Sequence, residues 1–184
     1  MAVFCPYKAD VVLYLECQKC KNKSDCSTDN IFALLVAGSR TVTDKKMMYR
    51  HLDKLLSVAK DKYKYILIVE GGAKGADSIA GEYARDRGYL LKVMPADWDK
   101  NGKAAGFIRN KAMHELIARY EHRGCVLFWD GKSKGTAHNF GLAKKFKTTI
   151  RTIRTDRQEE TNNEMDCNND MQLRSECDGS RIFG

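Results

Sequence analysis

The sequence of 184 residues contains no run of 18 apolar residues. Its longest approach, IFALLVA at 31–37, is strand-sized, which excludes a membrane-spanning helix. The N-terminus carries Lys8 and Asp10 but no long apolar stretch, which argues against a signal peptide and for a cytoplasmic protein. Two familiar phosphate-binding patterns are also missing. GxGxxG does not follow the first apolar run, and GKS at 131–133 lacks the glycine a P-loop needs five residues before Gly131, where Val126 stands. Neither a P-loop ATPase nor NAD or FAD as a redox cofactor is supported. Aromatic residues make up only 9% of the chain and are not interleaved with its basic residues, as a groove that stacks single-stranded nucleic acid would need. With two prolines and this length, one compact domain plus appendages is expected.

What is abundant is positive charge, unevenly spread. Lysine and arginine number 32 against 24 acidic residues, a formal net charge of +8. Residues 1–30 hold four of each sign, residues 156–184 hold three basic and eight acidic groups, and residues 31–155 therefore carry net +13. A cationic middle favours an anionic partner such as a nucleotide, a phosphate or nucleic acid, although surface lysines alone would give the same count. The charge steps mark three parts: a cysteine-rich segment over 1–30, a core over 31–155, and a polar, acidic tail over 156–184. The tail has few large apolar groups to offset the entropy of ordering and is expected to be disordered.

Within the core, apolar runs at 31–37, 65–70, 89–94, 125–129 and 148–153 alternate with helical patterns. Met47, Leu52, Leu55, Leu56 and Ala59 recur at three-and-four spacing, as do Ile108, Ala112, Leu116 and Ile117. Continuous apolar strands separated by helices imply an α/β fold: a Rossmann-like, doubly wound parallel sheet of about five strands. Ligands of such sheets bind outside the carboxyl ends of the strands, near the switch in strand order.

The loops at those ends are the ones to inspect. The first offers Gly38, Ser39 and Arg40: a close backbone approach, a hydroxyl and a forked cation. The second, with Gly71, Gly72 and Gly75 ahead of a helix, reads as an anion cradle, and its Asp77 as a helix cap or a partner for a ribose hydroxyl. The fourth repeats the glycine-rich, cationic pattern in Gly131, Lys132, Ser133, Gly135 and Thr136. The third and longest loop holds Asp97 and Trp98, followed by Arg109 and Asn110 in a helix. Trp98 could stack on a base or fill a gap beside the sheet. For any one loop, glycine as a plain turn former explains the pattern equally well; the joint occurrence of several is what points to a ligand.

Four stretches carry a family resemblance: AGSRTVTD at 37–44, VEGGAKGADSIAGEYARDRG at 69–88, MPADWDKNGKAAGFIRNKAM at 94–113 and FWDGKSKGTAHNFGLAKK at 128–145. In this order and spacing they resemble the YspA-like branch of the SLOG superfamily, which also holds the Lonely Guy phosphoribohydrolases and DNA-processing protein A. The resemblance implies a nucleotide or nucleotide-derived ligand across the GSR, GGAKGAD and GKSKGT loops, and relatives of this kind often form homo-oligomers. Lonely Guy enzymes carry a catalytic glutamate in GGxGTxxE, and Asn139 stands at that position here. An amide cannot act as the carboxylate that such hydrolysis uses. The first expectation is therefore a binder, acting as sensor or sequestering protein. The alternative is a nucleoside 5′-monophosphate N-glycosidase with Asp97 and Arg109 as catalytic residues, with Asp99 or Glu70 as other sources of a carboxylate and His138 as a base. Binding of single-stranded nucleic acid ranks third.

The chain has seven cysteines. Cys5, Cys17, Cys20 and Cys26 fit a small structural zinc site, with an iron–sulfur cluster or unligated thiols as alternatives. Cys125 is expected to be a buried thiol, and Cys167 and Cys177 have no evident partner.

Overall fold

The computed structural model describes residues 2–20 and 27–156. The acidic tail beyond Asp156 and Cys26 lie outside these residues. The chain opens with an antiparallel hairpin, β1 (Ala2–Cys5) and β2 (Asp10–Leu13), and a short helix α1 (Tyr14–Gln18). Then come β3 (Ile31–Gly38), α2 (Lys45–Leu56), α3 (Ala59–Lys62), β4 (Tyr65–Glu70), α4 (Ala76–Asp86) and β5 (Leu90–Val93). The second half runs α5 (Trp98–Asn101), α6 (Ala105–Ile117), β6 (Arg123–Trp129), α7 (Lys134–Lys145) and β7 (Thr149–Arg154). Among the described residues no helix is long and apolar enough to cross a membrane.

The five strands from β3 onward form one parallel sheet in the order β5-β4-β3-β6-β7. This is the Rossmann-like α/β sheet expected from the alternation of apolar runs with helical patterns. Strand alternation divides the core into two. Phe32, Leu34 and Val36 of β3 face α2 and α4, meeting Leu52, Leu56, Ala80 and Tyr83. Ile31, Ala33, Leu35 and Ala37 face the other way, toward Met113 and Ile117 of α6 and Ala143 of α7. Both faces of β3 are buried, which is why it reads as a continuous apolar run rather than an alternating one.

Two differences from the sequence pattern stand out. Ile108 is 50% exposed, so the buried stripe of α6 is not the one its apolar spacing suggests. The stripe runs through Asn110, Met113, His114 and Ile117, and two of those four residues are polar, which hides it from a hydrophobic reading. The second difference is the hairpin, whose four-residue strands are too short to show a period. It packs on the far end of the sheet, where the Tyr120 hydroxyl donates to the Pro6 carbonyl at 2.7 Å and Phe4 meets the Tyr120 ring edge-on at 5.9 Å.

Within this segment Cys5 is buried and its Sγ accepts the Lys8 backbone N–H at 3.4 Å, while Cys17 and Cys20 are half-buried. In β6, Cys125 is fully covered, and burial pushes its thiol well above the ordinary range.

Candidate functional site

The strand order reverses between β3 and β6, so the loops that leave these two strands diverge and open a crevice between them. Several bonds hold the two loops at a fixed separation. The Ser39 N–H donates to the Phe128 carbonyl at 2.8 Å, and the Ser39 hydroxyl accepts the Asp130 N–H at 3.1 Å. Thr41 Oγ1 donates to Asp130 Oδ2 at 3.0 Å. The other carboxylate oxygen, Asp130 Oδ1, accepts the N–H groups of Lys132 and Ser133 at 3.0 and 2.8 Å. Those two backbone donors hold the Asp130 carboxyl down at about 2. Ser133 then caps α7, accepting the Thr136 N–H at 3.3 Å and the Thr136 hydroxyl at 3.0 Å. Ser39 and Thr136 are thus buried struts behind the crevice wall.

The second glycine-rich loop is also bound up internally. Arg109 donates through one guanidinium nitrogen to the Gly71 carbonyl and to Asp77 Oδ2, the latter at 3.2 Å. Asp77 also takes the Ala73 N–H at 3.4 Å, and Glu70 takes the Gly72 N–H at 2.5 Å. Gly75 has φ +80°, and a Cβ there would come within 2.6 Å of the Ser39 carbonyl, so the turn into α4 needs glycine on both counts. Amides read from sequence as donors for an anion therefore bond to carboxylates of the chain itself. Asp77 does not occupy the N-cap of α4; that position is Gly75. Burial raises the carboxyls of both Glu70, to about 7, and Asp77, with the Arg109 charge opposing the rise in each.

Between these loops and α6 lies a cleft of about 360 Å³, near the lower bound for small-molecule sites. Of the residues singled out in the sequence, Gly38, Arg40, Asp77 and Trp98 line it, together with Arg109, Asn110, Ser133 and Gly135. Ser39, Gly71, Gly72, Gly75, Gly131, Lys132 and Thr136 stand outside the lining. Asp97 is the N-cap of α5, its Oδ1 accepting the Lys100 N–H at 2.9 Å. Asn139, which stands at the position of the Lonely Guy glutamate, lines it too, as do residues the sequence did not single out, among them Thr41, Lys103, Phe107 and Asp130. Lys103 and Phe107 lie within the DKNGKAAGF stretch, so its glycines and alanines were the available signal for a close wall.

The cleft has a cationic and aromatic mouth, and its buried wall holds Asn110, Asn139 and the Arg109–Asp77 ion pair. Arg40 and Lys103 are exposed and make no ion pair or hydrogen bond among the described residues. Trp98 and Phe107 are 51% and 47% exposed, the Trp98 ring lying over Gly106 and Phe107 meeting the His138 ring edge-on at 4.7 Å. Asn110 and Asn139 are 2% and 4% exposed at the deeper wall. The carboxylates of the lining are already engaged, Asp77 by Arg109 and Asp130 by backbone amides.

The comparisons agree with this geometry. The profile of the YspA, cpYpsA-related SLOG family matches residues 32–101, which run from β3 to the end of α5. Over 117 residues the chain is 33% identical to the Gene 61 protein of Mycobacterium phage D29, an alignment covering 61% of this chain and 88% of that protein. A parallel sheet with its crevice at the strand-order switch, a matching profile over its first half and a relative aligned over most of its length lead to one assignment. The chain belongs to the YspA, cpYpsA-related SLOG family.

Proposed function

We propose that the protein binds a nucleotide or a nucleotide-derived phosphorylated small molecule in the switch-point cleft, as a sensor or a sequestering protein. Family membership suggests a nucleotide-related function. The observation that carries the reading is the unspent chemistry of the cleft: Arg40 and Lys103 at its mouth, without partners among the described residues, beside two exposed aromatic rings. Exposed cations at the mouth suit a phosphate, and the rings of Trp98 and Phe107 suit the face of a base. A panel of mono-, di- and cyclic nucleotides, NAD and ADP-ribose, screened by thermal shift and calorimetry, tests it. A response that weakens in Arg40→Ala and Lys103→Ala is expected, and silence across the panel refutes it.

Hydrolysis of a nucleotide's glycosidic bond is the second reading, favoured by the raised carboxyl of Asp77 in the cleft wall. Against it, Asp77 is held by Arg109, Asp97 is spent on a helix cap, and Asn139 supplies an amide. Release of free base from a nucleoside monophosphate would favour this second reading over simple binding.

For the N-terminal segment the proposal is a structural zinc ion on Cys5, Cys17, Cys20 and Cys26. The N–H bond to Cys5 Sγ supports it, because metal-bound thiolates are steadied by such outer donors.

A further inference from the structure

The chain leaves the sheet beside the cleft. Because β7 runs parallel to β6, its last residues lie at the carboxyl edge, where the Thr155 N–H donates to the Trp129 carbonyl at 3.0 Å. The Arg154 guanidinium lies over the Trp129 ring at 5.7 Å and against Gly131, and it donates to both Asp156 oxygens at 2.7 and 2.9 Å. Trp129 and Gly131 flank Asp130, which lines the cleft. The residues after Asp156 therefore set out one strand away from the cleft wall.

The same edge carries cations that the described residues leave unpaired. Arg40 follows β3, Lys74 follows β4, Lys100 and Lys103 follow β5, and Lys132 and Lys134 follow β6. All six are exposed, and none makes a side-chain hydrogen bond, ion pair or ring contact among the described residues. With Asp77 matched by Arg109 and Asp156 by Arg154, they stand against Asp44, Asp97, Asp99 and Asp130 in these loops. Three of those four acids spend their oxygens on backbone amides: Asp44 and Asp97 cap helices, and Asp130 holds its own turn.

An occupant of this edge has to be anionic and close at hand. Residues 157–184 hold seven acidic and three basic side chains, a net charge of −4, and follow Asp156 directly. Their 28 residues reach about 30 Å as a coil, whereas β3 is two strands from β7, about 10 Å. A segment with few large apolar groups associates through charge, and tethering supplies it at an effective concentration in the millimolar range. Its adjoining Ile182 and Phe183 also match the exposed Trp98, Phe107 and Ile108 beside the mouth.

We infer that residues 157–184 dock on this cationic edge of their own chain and cover the cleft mouth, so that an anionic ligand competes with them for Arg40 and Lys103. The docking stands by itself. The competition rests on the proposal that the cleft takes a nucleotide, and it adds regulation to that site.

Carbodiimide coupling of the wild-type chain at low salt, read by mass spectrometry, tests the docking without any ligand. Carboxylates between Glu159 and Asp178 should couple to Lys103, Lys132 or Lys134 within one chain. Coupling that favours no edge over Lys60 and Lys147 at the opposite one, coupling between two chains, or none at all overturns the inference. A second arm uses the full chain with Glu159→Gln, Glu160→Gln, Glu164→Gln, Asp166→Asn and Asp170→Asn. A segment docked half the time halves the competent fraction, so acetylation of Lys103 and Lys132 at low salt should be about twofold or more faster in this variant, with Lys60 unchanged. At about 0.5 M salt the difference should vanish, because screening removes the attraction. Equal rates at low salt overturn the docking. In titrations with AMP, ADP, NAD and ADP-ribose, any that binds should bind the variant about twofold or more tighter. Equal affinity overturns the competition and leaves nucleotide binding standing. If none binds either protein, the competition falls with the nucleotide reading, and the coupling and acetylation results still decide the docking.

Discussion

Glu70 is the last residue of β4, 4% exposed, and its replacement by glutamine should make the protein more stable in alkali and leave it unchanged in acid. Burial pushes its carboxyl from an ordinary 4.5 to about 7, with the charge of Asp77 adding to the rise and the Gly72 N–H, Arg109 and Arg85 opposing it. The unfolded chain therefore gives up this proton near 4.5 and the folded chain near 7. Between those values the folded state holds more protons, so stability falls as pH rises through the window. At about 1.4 kcal/mol per tenfold change in proton affinity, the loss is about 3 kcal/mol once both states are ionised. His114 works in the opposite sense: burial lowers it from 6.5 to about 4, so its contribution grows as pH rises between those values. The two partly mask each other in wild-type protein, but His114 cancels in the difference between wild type and Glu70→Gln. Glutamine keeps the shape and an acceptor for the Gly72 N–H. Urea unfolding followed by circular dichroism from about pH 4.5 to about pH 8.5 should give curves that coincide in acid and separate by about 3 kcal/mol in alkali, the variant being the more stable. Parallel curves across the range, or a variant weaker at high pH, would refute the reasoning.

Arg109→Met should cost about 3 kcal/mol in the same assay, because it strands the buried Asp77 carboxylate and releases the Gly71 carbonyl; a loss below about 1 kcal/mol would contradict the pairing. Ser133→Ala removes the cap of α7 and should cost about 1 kcal/mol, with thermal unfolding as the check. Elemental analysis should find one zinc ion per chain, lost together with Cys17→Ser, whereas metal-free protein at full yield would remove zinc from the account.

Much of the fold was legible because its strands are buried on both faces: β3 has seven fully buried residues in succession, which no amphipathic helix offers. Glycine after β3, β4 and β6 then located three of the loops, though not which of them faced a ligand. That distinction depends on where Glu70, Asp77 and Asp130 send their carboxylates. All three occupy amides of the loops read as phosphate-binding, and although each bond spans only two to four residues, the glycine pattern does not say which way a neighbouring carboxylate turns. Asn139 reads in sequence as a replaced glutamate, but its place in the cleft wall depends on how α7 packs against α6. The face of α6 was misjudged for a related reason. Its inward positions include Asn110 and His114, so the helix hides its site among its core residues and shows Ile108 to solvent.

The central claim, that the crevice between β3 and β6 holds a phosphorylated nucleotide, is tested most directly by a crystal structure grown with the tightest-binding nucleotide of the panel. The account predicts ligand density in the cleft, with the phosphate within hydrogen-bond reach of Arg40 or Lys103 and the base against Trp98 or Phe107. A nucleotide bound elsewhere on the chain, with this cleft empty at saturating concentration, would contradict it.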